Sequence, residues 1–455
     1  MSVRQLRRPL ALALPVAVLA AVLVVGETKA QAGPPPGAVT GSAQLPAIPL
    51  GEFSNAMLPG SVGNDRGVKL GGIGSDIFPA GRPGEFWTVT DRGPNGRITV
   101  DGTKRRTFPV PGFDPAIVKI RVAGDHITVL DSLPITTRSG KPVTGLPNQP
   151  GRDEAPYTYD AGRPLSYDPD GLDTEGIVRA TDGSFWLADE YGPSLVHVSA
   201  SGRVLARYVP KGLRLTGTGY PVVESLPGLL LQRKTNRGFE GLALLPDGDL
   251  VAAVQSPLSN PDTAAGEASR NARLLRFSPA KGAATAEYAY RFDPVGEVDP
   301  GEDDTSELKI SSVVAVGRDR LLVEERTDKA ARLLVEERTD KAARLQLVEL
   351  AGRSDILGSR WDDPATSPSL EQSGGRAPVL PKRLAVDLNE IKGIPEKIEG
   401  IAVSGPRTRT PALTLINDND FGMTDGPDAF DDQGRLVDSG VPTTVTTVRL
   451  RKAAW

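Results

Sequence analysis

Short apolar runs in this chain alternate with polar residues and stop at Gly or Asp-Gly turns, as expected of β-hairpins. One hairpin pattern recurs. Glu175-Gly176-Ile177 opens a run that passes Asp182-Gly183 and ends at Phe185-Trp186-Leu187-Ala188-Asp189-Glu190. Glu240-Gly241-Leu242 opens a second, with Asp247-Gly248 at the same offset and Leu250-Val251-Ala252-Ala253-Val254 after it. Glu399-Gly400-Ile401 opens a third, which closes at Leu415-Ile416-Asn417-Asp418-Asn419-Asp420. Weaker copies begin at Gly71-Gly72-Ile73, leading to Phe86 through Pro94, and at Ile310-Ser311-Ser312-Val313, leading to Leu321 through Arg326. A lone hairpin cannot bury its apolar face, so repeated hairpins imply a shared core.

The pattern predicts an all-β protein, a six-bladed β-propeller with loop insertions. A sixth unit is expected around residues 114–135 or closed by a C-terminal strand, Thr443–Arg451. Fifty Gly and 40 Pro suit a turn-rich chain, and no long helical period interrupts it. The first 32 residues read as a signal peptide. Arg4, Arg7 and Arg8 precede the apolar run Leu10–Val25, and Ala30-Gln31-Ala32 is a small-x-small cleavage site. That run is short for a membrane span. Residues 33–50, rich in Pro, Gly and Ala, read as a flexible linker, and 51–455 as the propeller domain. A secreted, monomeric protein without a membrane span after cleavage is expected.

Charge and missing residue types narrow the chemistry. The precursor carries a formal net charge of −4 and its leader is basic. The mature chain is therefore more acidic still, which disfavours nucleic acid as a partner. There is no cysteine, and His126 and His197 are the only histidines, so a thiolate nucleophile is excluded and a zinc hydrolase is disfavoured. No Gly-x-Ser-x-Gly elbow, Walker loop or dinucleotide fingerprint is present.

Carboxylates recur where the chemistry would lie. If the Glu-Gly strands are innermost, Glu175, Glu240 and Glu399 reach one rim of the channel. The following strands return Asp91, Asp189, Glu190, Glu325, Asp418 and Asp420 to the same rim. Crowded carboxylates repel, and Ca²⁺ relieves this with oxygen ligands at flexible geometry. Asn236, Asn417 and Asn419 could add carbonyl oxygens. The alternative is structural: a repeated Glu can accept backbone N–H bonds from the next blade. Asp182 and Asp247 read as turn residues, and Asp428, Asp431 and Asp432 as a solvated loop. Arg92, Arg233, Lys234, Arg237, Arg326 and Lys397 flank the acids. Cations beside a metal-bearing rim suit a phosphoester, and ion pairing between blades is the alternative.

Asp173-Thr174-Glu175-Gly176-Ile177, Phe185 to Ser194, Asn236 to Ala243, Lys397 to Ile401 and Asn417 to Gly422 together resemble the phytase-like family, described by its esterase-like activity of phytase. The resemblance runs over about residues 50–450 and includes the insertion from Thr144 to Gly171. It implies a secreted β-propeller with calcium-dependent phosphoesterase character at an acidic channel. On this reading Glu240 and Glu190 are the expected catalytic residues. Arg237, Lys397 and Arg92 are the expected phosphate contacts, and Glu175, Asp189, Glu240, Glu399, Asp418 and Asp420 the expected calcium ligands. The substrate is expected to be a small phosphoester or ester. A binding propeller with structural calcium, and a calcium-dependent lactonase or carboxylesterase, are the alternatives.

One segment departs from the pattern. Leu321 to Arg332 is repeated without change as Leu333 to Arg344. The repeat has an even number of residues, so strand alternation would survive it. Glu325 and Glu337 then compete for one slot.

Overall fold

A computed structural model describes residues 36–327, 342–350, 355–404, 411–451 and 455. The expected leader, and Glu337 in the second copy of the repeat, lie outside the described residues.

The first strand, β1 (Gly37–Gln44), falls within the stretch expected to be a linker, and a helix, α1 (Leu50–Met57), follows it. Then come β2 (Ile77–Pro79), β3 (Glu85–Val89), a hairpin of β4 (Gly96–Val100) and β5 (Thr103–Thr107), β6 (Ala116–Ala123) and β7 (His126–Pro134). The short β8 (Pro156–Tyr157) pairs with β5. The second blade comprises β9 (Thr174–Arg179), β10 (Phe185–Asp189), β11 (Ser194–Val198) and β12 (Val204–Pro210), with β13 (Val222–Leu226) added at its edge. The third is β14 (Phe239–Leu244), β15 (Leu250–Val254), β16 (Asn271–Ser278) and β17 (Ala283–Arg291). The fourth is β18 (Lys309–Gly317), β19 (Arg320–Arg326), β20 (Ala343–Glu349) and β21 (Lys382–Asp387). The fifth is β22 (Ile398–Ser404), β23 (Ala412–Asn417), β24 (Thr444–Leu450) and, at its outer edge, β1. The first blade is β2-β3-β6-β7.

Each blade's first strand packs on the next, in the order β2, β9, β14, β18, β22 and back to β2. The ring is a β-propeller, and five blades close it among the described residues, where six were expected. Apolar clusters separate the successive blades. Ile177 and Phe185 meet Trp87 between the first two, and Leu242 and Leu275 meet Val178 and Trp186 between the next. Ile310 and Val323 pack with Val251 and Leu274, and Ile401 and Leu413 with Leu322 and Leu345. Ile77 and Val118 complete the circuit with Ile416 and Val445.

The miscount has a local cause. The β4–β5 hairpin is inserted between the second and third strands of the first blade, so residues 114–135 looked like an independent unit. They supply β6 and β7 instead, and the C-terminal strand is the third strand of the fifth blade. The linker expectation is likewise corrected over residues 37–44. Gly37 to Gln44 pairs antiparallel with Leu450 to Thr444, which covers an edge that would otherwise present unpaired N–H and C=O groups. Its small, polar residues disguised a strand. The innermost strand of the first blade also starts later than expected, at Ile77 after Asp76 rather than at Gly71-Gly72-Ile73.

The Glu-Gly repeat has a structural reason. In β9 the register slips between Ala188↔Gly176 and Asp189↔Thr174, leaving Glu175 as an extra residue. Glu399 is bulged in the same way in β22, and the slip in β14 falls across Glu240-Gly241. A bulge re-aims its side chain away from the ladder. The glycine beside it lets neighbouring blades touch: a Cβ on Gly241 would lie 2.6 Å from the Val313 nitrogen.

Candidate functional site

The bulges deliver Glu175 and Glu240 to one end of the ring, where both are buried. No described residue meets either carboxylate with a hydrogen bond or ion pair. Burial pushes the Glu175 pKa well up, and the charges of Glu240, Asp173, Glu399 and Asp91 add to this. Burial also raises Glu240, helped by Glu399 and Glu190 and opposed by Arg326 and Lys309. Like charges near one another in a dry pocket hold protons.

The other acids of the rim are compensated. Asp173 lies 3.0 Å from Arg92, and Glu190 lies 3.6 Å from the same guanidinium. Glu399 lies 2.5 Å from Arg326. Lys397, at a left-handed φ of 48°, reaches Asp418 and Asp420 at 2.5 Å each and Glu399 at 3.8 Å. Burial raises Asp418 to about 7 against the pull of Lys397. Asp91 accepts the Gly93 N–H at 2.6 Å. Burial raises it too, with Asp418 and Asp173 adding to the shift.

Arg237 is different from these cations. Its loop turns at Asn236, with φ of 55°, and runs over the backbone of Glu190. A Cβ on Gly238 would lie 2.2 Å from the Glu190 carbonyl oxygen, so the close approach requires glycine. The Arg237 side chain has no ion pair or hydrogen bond with any described residue, and its Nη1 is buried. Burial lowers its pKa, and Glu190 and Glu240 oppose that shift. An unpaired guanidinium over a carboxylate pair is disposed to take up an anion.

The structure thus gathers Glu175, Glu190, Glu240, Glu399, Asp418, Arg92, Arg237 and Lys397 at one rim, with Asp420 at its half-exposed margin. It does not bring Asp189 into the open part of that rim. Asp189 is fully buried, lies 2.5 Å from Arg207, and bonds the Ser194 hydroxyl and the Asp173 N–H. Glu325 also turns away, towards Tyr290, the Asp293 N–H and Lys382. Its neighbour Glu324 faces the ring instead, since successive strand residues point to opposite faces. Burial raises Glu324 to about 8, with Arg326 opposing and Glu399 and Asp76 adding.

Asp76, Asp173, Lys309 and Glu324 are therefore members of the charged ring that sequence reasoning did not assign. The phase of strand alternation in β19 was the missing signal for Glu324. Asp173 stands in the same motif, two residues before Glu175.

As to a metal, the donors are hard oxygens, and Glu175 and Glu240 carry no hydrogen bond or ion pair from the described residues, which suits calcium chemically. Among the described residues, no three or more acidic or histidine side chains converge on a point where an ion would sit. No described helix is long and apolar enough to cross a membrane.

These features define a β-propeller with a ring of buried carboxylates and cations at one mouth of its channel. Residues 68–421 match the phytase-like family, described as esterase-like activity of phytase, and the chain belongs to that family. A protein of Arthroderma benhamiae, described as an uncharacterized secreted protein, is 28% identical over 303 residues, 56% of this chain and 58% of that protein. The match thus spans little more than half of the relative's length. Among solved structures, a protein of unknown function from Dyadobacter fermentans is 9% identical, with a TM-score of 0.36 over 91% of this chain and 99% of that one. The PQQ-bound aldose sugar dehydrogenase of Streptomyces coelicolor is 11% identical, with a TM-score of 0.31 over 85% and 97%.

Proposed function

We propose that the protein is a secreted hydrolase of small phosphoesters, working at the acidic mouth of the propeller. The observation that carries this reading is the unpaired Arg237 beside the uncompensated carboxyls of Glu240 and Glu175. Arg237 binds non-bridging phosphate oxygens, and Arg92 and Lys397 add positive potential from the rim. Glu240, its proton retained by burial and like charge, donates to the leaving oxygen. Glu190, oriented by Arg92, takes a proton from the attacking water. The expected calcium ligands do not form a metal site among the described residues: Glu399 and Asp418 are paired with Arg326 and Lys397, and no three acids converge on one point. The basic leader pattern of residues 1–32 and the description of the Arthroderma relative support secretion.

The test compares aryl phosphate and aryl acetate hydrolysis by mature protein, with EGTA and with rising Ca²⁺. Phosphate release is expected to be lost in Glu240→Gln. In Arg237→Ala, KM for the phosphate should rise about tenfold or more, as for loss of a charge-assisted contact, while turnover of the neutral ester stays the same. Acetate turnover without phosphate turnover would refute the phosphoester assignment. Absence of both activities would refute the hydrolase reading.

A further inference from the structure

The opposite ends of the inner strands border a cavity, away from the acidic mouth. Glu175 is the second residue of β9 and Ala180 follows its end, about 16 Å further on at the usual rise of a strand. There the turns after β9, β14 and β18 enclose a cavity of about 950 Å³. That is room for an organic molecule of drug size.

One wall is aromatic. His197 lies opposite Trp186 across the β10–β11 pair, and their rings stack at 4.3 Å with planes 5° apart. Tyr208 extends the surface at 5.5 Å from Trp186, and Phe277 of the third blade backs both rings. Leu244, Leu250 and Val316 supply apolar walls from the third and fourth blades.

The charge around this cavity is asymmetric. Asp182 is already satisfied by the Ser184 N–H at 2.9 Å and its hydroxyl at 2.6 Å. His197 is bonded to the same hydroxyl at 3.0 Å, and burial lowers its pKa. Arg318, on the exposed turn after β18, and Arg320, the exposed first residue of β19, also line the cavity. Neither guanidinium has a hydrogen bond or ion pair with a described residue. The lining thus sets the half-exposed rings of His197 and Tyr208 and an apolar wall beside two exposed arginines.

We propose that this cavity binds small aromatic anions, with the ring system against His197 and Tyr208 and the anionic group towards Arg318 and Arg320. Stacking and burial supply most of the affinity, and the exposed arginines select for charge.

The probe is 1-anilinonaphthalene-8-sulfonate, titrated by fluorescence into the full mature protein. N-phenyl-1-naphthylamine, which lacks the sulfonate, is the neutral control. The expected result is saturable binding of the sulfonate, weakened about fivefold in the Arg318→Ala/Arg320→Ala double variant, with the neutral dye unaffected. Both arginines are exposed, one on the turn after β18 and one at the start of β19, so the double variant should keep its fold. A second variant, Ala315→Phe, fills the cavity and should weaken both dyes. The proposal is overturned if the sulfonate shows no saturable binding, if its Kd is the same in the double variant, or if that variant weakens both dyes equally.

Discussion

Replacing Glu324 by Gln should stabilise the protein, and by an amount set by pH. Glu324 is fully buried on β19, and neither carboxyl oxygen has a hydrogen bond. Burial raises its pKa from the ordinary 4.5 to about 8, against the attraction of Arg326 and with the repulsion of Glu399 and Asp76. The sign follows from proton counts. Below about pH 4.5 both the folded and the unfolded chain are protonated at this residue, so the carboxyl and an amide differ little. Between that value and about pH 8, the unfolded chain gives up the proton and the folded one keeps it. Each pH unit in that window then disfavours folding by about 1.4 kcal/mol. The penalty is on the order of 3 kcal/mol at pH 7 and levels off near 5 kcal/mol above pH 8.

Glutamine has the same shape and does not titrate. The variant should therefore match the wild type at pH 4 and exceed it at pH 7. For a folded unit of this length the gain corresponds to about 3 °C in Tm. Thermal unfolding of both proteins at pH 4, 5.5, 7 and 8.5 reads the difference directly. A Tm difference that stays flat across this range, or a variant less stable at pH 7, would mean that the carboxylate is ionised in the fold and held there by Arg326.

Three further outcomes are expected. Gly241→Ala places a methyl 2.6 Å from the Val313 nitrogen and 2.9 Å from the Ser312 carbonyl carbon, and should lower stability by about 1–3 kcal/mol in urea unfolding; an unchanged midpoint would contradict the close approach of the inner strands. Arg207→Met leaves Asp189 buried without its cation and should cost about 3–5 kcal/mol, seen as a lower Tm; retention of the wild-type Tm would mean that the pair does not hold the second blade. Deleting residues 37–44 uncovers β24 and should produce concentration-dependent association in light scattering; a monodisperse, cooperatively unfolding variant would show that β1 is dispensable for closing the fifth blade.

The propeller was legible because the Glu-Gly repeat answers two physical demands at one place. A bulge turns the acid towards the rim, and the glycine lets one inner strand lie on the next. Both demands recur in β9, β14 and β22, so the pattern survives in the sequence. The number of blades was not legible, because an inserted hairpin separates the strands of the first blade and composition disguised β1. Site membership was legible where an acid stands at a bulge, as with Glu175, Glu240 and Glu399. It was not legible where it depends on the phase of a second strand. Glu324 and Glu325 are adjacent and alike in sequence, yet one meets the ring of charges and the other Tyr290 and Lys382. Asp189 stands at a strand end like Asp418, but Arg207, distant in the blade pattern, takes it up.

The alternative role for the repeated acids, accepting backbone N–H bonds between blades, makes a distinct structural demand. Asp76 meets it. One of its carboxylate oxygens accepts the Ile77 N–H at 2.8 Å and the other accepts the Ile177 N–H of the next blade at 2.9 Å. Glu175 and Glu240 occupy the bulges of the next two blades and accept no such bond from the described residues. Glu399 is tied to Arg326 instead. Blade pairing therefore accounts for Asp76 and leaves Glu175 and Glu240 without a structural partner. Burying an uncompensated carboxyl disfavours folding, and here two stand together under an unpaired arginine. Such an arrangement persists in a folded protein when something other than stability maintains it.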